Sequence, residues 1–227
     1  RMTVHFNIHY ATQWGESLRL IVLQNNQPQV VEMKCSHQSD WSAEISIDNQ
    51  RSLMYWYELV GSKNVAVREH GENRHICWSE NQTALQLFDS WRWTYGESPF
   101  STTVFKDIFF KRAPEVPLQD NFDAGLILQL RAFQIEPDRH FAIVGNQPAL
   151  GNWDVARKVK LDASGFPVWT VRLNPAEIVF PLEYKYLLVD SKTDEVIAWG
   201  GGPNRKVLAV DANAQNIVTD ENFIRTV

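Results

Sequence analysis

The chain has 227 residues, enough for one large domain or two ordinary ones. A formal net charge of -5 lacks the basic footprint that a nucleic-acid binder needs. No apolar run approaches the roughly 20 residues of a membrane span, so neither nucleic acid nor membrane is an expected partner.

Val4 to Tyr10 alternates with period two and reads as a strand from the start, with no signal-peptide-like apolar region ahead of it. A signal already removed stays open, because Arg1 precedes Met2. His5 and His9 share one face of that strand, and satisfied or solvated histidines are a plainer reading than a metal pair. Thr12 to Ser17 reads as a turn, which puts Trp14 where an indole is hard to bury. Leu18 to Leu23 is the next strand and Asn25 to Pro28 the next turn. Val30 to Met33, Trp41 to Ile47, Leu53 to Val60, Asn64 to Arg68 and Thr83 to Trp93 follow as strands. Recurrence every 8 to 12 residues or so, without a helical period, indicates a β-sandwich or barrel.

Tyr95 to Gly125 differs in character. Gly96, Pro99, Pro114 and Pro117 punctuate it, while Phe100, Phe105, Phe109 and Phe110 make it too apolar for a flexible linker. It is expected to be a connector folded against its neighbours. Strand signals resume at Leu126 to Phe133, Phe141 to Val144, Trp169 to Leu173, Tyr184 to Val189, Val196 to Trp199 and Val207 to Val210, with a short last one at Ile217-Val218. Cys35 and Cys77 are the only cysteines and have no CxxC spacing. Two buried free thiols are expected, and neither a metal nor a cofactor.

The two halves repeat one another. Tyr55 to Lys63 aligns with Tyr184 to Lys192, Asp40-Trp41-Ser42 with Val168-Trp169-Thr170, and Asn73-Arg74 with Asn204-Arg205 two residues further on. The copies part where Trp56 stands for Lys185 and Arg68 falls opposite Trp199. Nothing in the first copy resembles Gly151-Asn152-Trp153.

Trp153 follows a Leu-Gly-Asn turn, and Trp199 precedes Gly200-Gly201-Gly202-Pro203. Both indoles sit at element ends, and glycines leave open space beside the second. With Lys185 and Asn204 they suit a flat, neutral, hydroxyl-rich ligand: rings stack on C–H faces while the ammonium and amide bond the hydroxyl rim. Trp169 lies mid-strand and its copy Trp41 persists without the other site residues, so both are assigned to cores. Asp154, Glu183, Asp194 and Glu195 are scattered turn acids, not a spaced catalytic pair. No GxSxG, metal cluster or phosphate loop is present.

Gly145 to Arg205 resembles a starch-binding module of carbohydrate-binding family 20, whose pattern is L-G-N-W, then W, then E-Y-K-Y, then W, then N-R. The resemblance implies a principal glucan site at Trp153, Lys185 and Trp199 with Asn204 assisting, although an acidic residue common after the last Trp is Gly200 here. That family's second site uses a Tyr before Gly-Glu, a place taken by Trp14 in the first copy. Thr12 to Leu18, Phe100 and Phe105 to Phe110 also resemble the N-terminal region of family 77 4-α-glucanotransferases of the cytosolic disproportionating type. The implied fold is all-β, two immunoglobulin-like antiparallel β-sandwich modules in tandem. The first spans 1–94 with an eroded principal site, the connector 95–123, and the second 124–227 with that site intact. The implied role is non-catalytic binding of starch, glycogen or malto-oligosaccharides ahead of a catalytic barrel. A mainly structural or oligomerising first module is the alternative, and a self-contained glycosidase a remote one.

Overall fold

A computed structural model describes residues 1–37, 39–93, 125–134 and 136–223. The expected connector at 95–123, with Phe100 and Phe105, lies outside them. The first half contains β1 (Met2–His9), β2 (Ser17–Gln24), β3 (Gln27–Glu32), β4 (Lys34–Ser36), β5 (Asp40–Ile47), β6 (Ser52–Val60), β7 (Ala66–Arg68), β8 (Arg74–Cys77) and β9 (Ala84–Ser90). The second contains β10 (Gly125–Arg131), β11 (Arg139–Gly145), β12 (Val159–Lys160), β13 (Val168–Leu173), β14 (Leu182–Asp190), β15 (Val196–Trp199), β16 (Arg205–Val207) and β17 (Gln215–Glu221). The architecture is all-β, as expected, and its helices are short 3₁₀ turns.

Alternation explains the strands directly. Met2, Val4, Phe6 and Ile8 of β1 point inward. His5 and His9 point outward and meet carboxylates across the ladder, Glu44 at 3.3 Å and Asp40 at 2.9 Å. The plainer reading of these histidines holds. β4 and β8 went unanticipated because three or four residues are too few to display a period. The cysteines depart from expectation: Cys35 is exposed and Cys77 only partly covered, both as free thiols. Cys35 lies on β4, the outermost strand of its sheet, where no layer of the described residues covers it.

The strands form three sheets among the described residues. One has seven strands in the order β13-β10-β17-β9-β1-β5-β4. A second follows β3-β2-β6-β7 with β8 also on β6, and a third β12-β11-β14-β15 with β16 on β14. The seven-stranded sheet joins both halves through a parallel β9–β17 ladder, in the register Leu87↔Ile217 and Phe88↔Val218. β1 and β10 run parallel to these two strands, so the middle of the sheet is parallel while most other ladders are antiparallel.

Successive residues of a strand face opposite sides, which makes the seam two-sided. Ile127 and Ile217, from the second half, pack in the cluster with Phe6, Leu85, Leu87, Tyr55 and Tyr57. Phe88, from the first half, packs against the cluster of Leu126, Leu128, Val218, Trp169 and Tyr186. The two cores therefore lie on opposite faces of one continuous sheet, and each half lends side chains to the other's core. Trp41 and Trp169 are buried, one in each core, as assigned.

Charge reinforces the seam. Glu221 of β17 accepts Arg92 Nε at 2.9 Å and Arg131 Nη1 at 3.2 Å, with Arg74 Nη1 at 3.6 Å. Arg74 in turn forks onto Glu69 at 2.9 and 2.7 Å. Three guanidinium groups around one buried carboxylate outweigh its desolvation and pull the Glu221 pKa down to about 2.

Candidate functional site

The third sheet is covered on both faces. Tyr184 and Tyr186 of β14, with Phe141 and Ile143 of β11, face the core. Ala142, Val144, Leu187 and Val189 face outward and form a small apolar cluster of their own. Trp153 and Val196 pack on that outer cluster. The near-continuous apolar run of β11 follows from this two-sided burial.

Trp153 is delivered by a tightly wound segment, the 3₁₀ turn Pro148–Trp153 followed by Val155–Arg157. Gly151, Asn152 and Trp153 are all left-handed, at φ 78, 50 and 63. Such a conformation costs a non-glycine residue roughly 1–2 kcal/mol, and strain of this kind concentrates at functional sites. Asp154 caps the next turn by accepting Ala156 N at 3.0 Å, and Lys158 ties it down by donating to Asp194 at 2.8 Å and to the Val155 carbonyl at 3.2 Å. The Lys158 ammonium holds the Asp194 carboxyl below its usual range.

Gly151 has no room for a side chain: a Cβ there would lie 2.5 Å from the Arg157 carbonyl oxygen. Gly151→Ala is therefore expected to cost about 1–3 kcal/mol through overpacking and backbone strain. Chemical denaturation measures the loss, and Trp153 should lose its fixed position with it.

Trp199 ends β15 directly opposite Leu187, so it shares the outer face with the cluster beneath Trp153. It is 46% exposed. Lys185 lies on the same face, two residues before Leu187, and donates to the carbonyls of Gly200 at 3.2 Å and Gly202 at 2.6 Å. It thereby braces the glycine loop after Trp199. Asn204 is half-buried at the end of that loop. Its neighbour Arg205 is pinned by Asp220 at 3.2 Å and by the Asn222 carbonyl at 3.0 Å. Trp153, Lys185 and Trp199 thus gather on one outer face, and Asn204 closes the loop beside it. Trp14 is elsewhere, wholly exposed on the turn after β1.

The equivalent face of the first half is closed. Arg68 pairs opposite Glu58, as Trp199 pairs opposite Leu187. Its guanidinium lies 4.3 Å over the Trp56 ring, whose Nε1 donates to Glu58 at 2.9 Å. Arg19 also reaches Glu58, at 2.7 Å, and Arg68 bonds the Asn73 side chain. These side chains satisfy one another, and a cation occupies the ring face that a sugar would need.

One constellation was not anticipated. Tyr184 and Tyr186 both donate their hydroxyls to Asp220 Oδ2 at 2.7 Å, while Tyr55 and Tyr57 donate to Asp89 Oδ2 at 2.8 and 2.7 Å. Arg205 and Arg74 lie beside the respective carboxylates, at 3.2 and 3.4 Å. Burial first, and then the neighbouring carboxylate, raises all four phenol pKa values well above normal. The signal was available: Asp89 and Asp220 keep the same two-residue offset that aligns Asn73-Arg74 with Asn204-Arg205. These groups are buried and mutually bonded, so they hold the core and leave no reactive group open to a substrate.

Among the described residues, no group of His, Cys, Asp and Glu is arranged to hold a metal, and no helix is long and apolar enough to cross a membrane. Comparison with known proteins matches residues 127–219 to the family of the starch binding domain, CBM_20. A 4-α-glucanotransferase of rice, Oryza sativa subsp. japonica, is 24% identical over 227 residues, covering 90% of this chain and 24% of that enzyme. An α-amylase of Streptomyces violaceus is 37% identical over 79 residues, which is 34% of this chain and 13% of the amylase. The family 20 module of the maltotetraose-forming amylase of Pseudomonas saccharophila is 25% identical, covering 42% of this chain and 99% of its own, with a TM-score of 0.34. The chain thus spans about a quarter or less of the length of these two curated relatives. The family match is confined to residues 127–219, and over that stretch the chain is similar to a starch binding domain.

Proposed function

We propose that the outer face carrying Trp153, Lys185 and Trp199 grips α-glucan, and that the chain targets a 4-α-glucanotransferase to starch, glycogen or malto-oligosaccharides. The observation that carries the reading is two indoles on one outer face, Trp153 packed on the apolar cluster from a strained turn and Trp199, opposite Leu187, half-exposed beside a glycine loop. Rings supply the stacking surface. An ammonium has three donors; Lys185 directs two to loop carbonyls and keeps the third for a sugar hydroxyl. Asn204 adds an amide at the rim. Trp14 is a separate stacking platform.

The duplicated Tyr–Tyr–Asp–Arg constellation supports two copies of one module, over 1–94 and 124–227. The first copy serves mainly as structure, because Arg68 covers its Trp56. The rice relative, aligned over 90% of this chain, supports a catalytic barrel as the partner domain. A cytoplasmic setting belongs to the same reading.

Calorimetric titration with β-cyclodextrin tests it. Binding is expected, with no release of reducing sugar from maltoheptaose, and Trp56→Ala should leave the affinity within about twofold. A chain that binds no glucan, or that hydrolyses one, refutes the proposal.

A further inference from the structure

We propose that Tyr10 and Trp93 form a further hexose-stacking platform on the first half, distinct from both Trp14 and the Trp153/Trp199 face. The inference rests on the reading that this chain binds α-glucan. β1 and β9 run parallel with His9 beside Ser90, so the chain leaves both strands at the same end of the sheet. Tyr10 emerges from one strand and Trp91 to Trp93 from the other, side by side.

The three rings are ordered against one another. Trp91 is buried and meets Tyr10 steeply, at 5.0 Å and 66°. It meets Trp93 at 6.4 Å and 65°. Trp93 lies nearly parallel to Tyr10, at 5.5 Å and 19°, yet stays 48% exposed. The indole therefore stacks on Tyr10 and still keeps nearly half of its surface open. Tyr10 is itself anchored: its backbone N–H donates to the Ser39 carbonyl at 2.8 Å, and its carbonyl accepts Trp41 Nε1 at 3.3 Å. A ring already held in place gives up little conformational freedom on binding.

The surroundings are polar in a way that suits a neutral polyol. Glu16 accepts the Gln13 backbone N–H at 2.6 Å and stands close enough to Tyr10 that its charge, after burial, raises the phenol pKa. Tyr10 thus sets a phenol hydroxyl within the field of the Glu16 carboxylate, next to the half-exposed indole that it stacks on. This is the pairing that the apolar face and hydroxyl rim of a hexose require. The open part of one half-exposed indole is small for a protein partner, whose interface normally takes about 800 Å² from each side.

The test starts from the 227-residue chain carrying Trp14→Ala, Trp153→Ala and Trp199→Ala. Weak maltoheptaose binding should remain, and adding Trp93→Ala should lower that residual affinity about fivefold. Trp93→Tyr should keep most of it. The indole N–H resonance of Trp93 should also shift on adding sugar, a reading that does not depend on any variant folding. The inference is overturned if no residual binding remains, if Trp93→Ala leaves it unchanged, or if the resonance stays still. It is also overturned if Trp93→Ala alters only self-association in sedimentation. A wild-type chain that binds no glucan refutes the underlying function instead, so the two failures are told apart.

Discussion

Replacing Trp199 by alanine should lower the affinity for maltoheptaose about tenfold, the equivalent of about 1.4 kcal/mol, with little change in thermal stability. A stacked aromatic contributes about 0.5–1.5 kcal/mol beyond the apolar area it covers, and each Å² covered adds roughly 25 cal/mol. A tenfold loss lies inside that range. The stability side follows from position: Trp199 ends the edge strand β15 and is 46% exposed, so its removal opens no cavity. Changes at such surfaces usually stay within about 0.5 kcal/mol. Trp153→Ala should behave differently, lowering affinity and stability together, because that indole packs on Ala142, Val144, Leu187 and Val189. Calorimetric titration alongside thermal unfolding separates the two. An undiminished affinity in Trp199→Ala removes that residue from the site.

Replacing Glu221 by alanine should be the more damaging change to the fold, costing about 3–5 kcal/mol. It would leave Arg92, Arg131 and Arg74 crowded at the seam without the carboxylate that joins them. A melting temperature lower by roughly 10 °C is expected, at about 2–4 °C per kcal/mol for a chain of this size. The pH dependence has a definite sign. The Glu221 pKa falls from an ordinary 4.5 to about 2 on folding, so its contribution is complete above 4.5 and lost as the pH drops toward 2. Glu221→Gln should flatten that acid limb. Asp89, whose pKa burial raises, contributes the opposite slope above its ordinary value, so the difference between wild type and Glu221→Gln isolates Glu221. Urea titrations between pH 2 and 6 measure it; identical acid limbs refute the role of Glu221.

Much of the fold was legible because it rests on local periods. The alternation in β1 and β6 and the inward placement of Trp41 and Trp169 needed only side-chain direction. The last strand shows where that logic fails. A short strand was expected to start at Ile217-Val218, yet β17 runs Gln215–Glu221 with six of its seven residues buried. Asn216 is buried because its amide donates to the carbonyls of Gly125, Asp211 and Ala214, and Glu221 because arginines surround it. Polarity marks exposure only until partners from distant sequence arrive.

The candidate site divides along the same line. Trp153, Lys185 and Trp199 were recognisable from residue type and turn spacing, since a ring on a Gly-Asn turn or beside three glycines has few ways to be buried. The sequence by itself determined the all-β class and the two core tryptophans, both of which rest on short-range pattern. Only the tertiary structure decided that Arg68 covers Trp56, that Tyr10 and Trp93 stack, and that both halves share one sheet. Each of these depends on strands far apart in sequence meeting in one register, and no local period encodes that register.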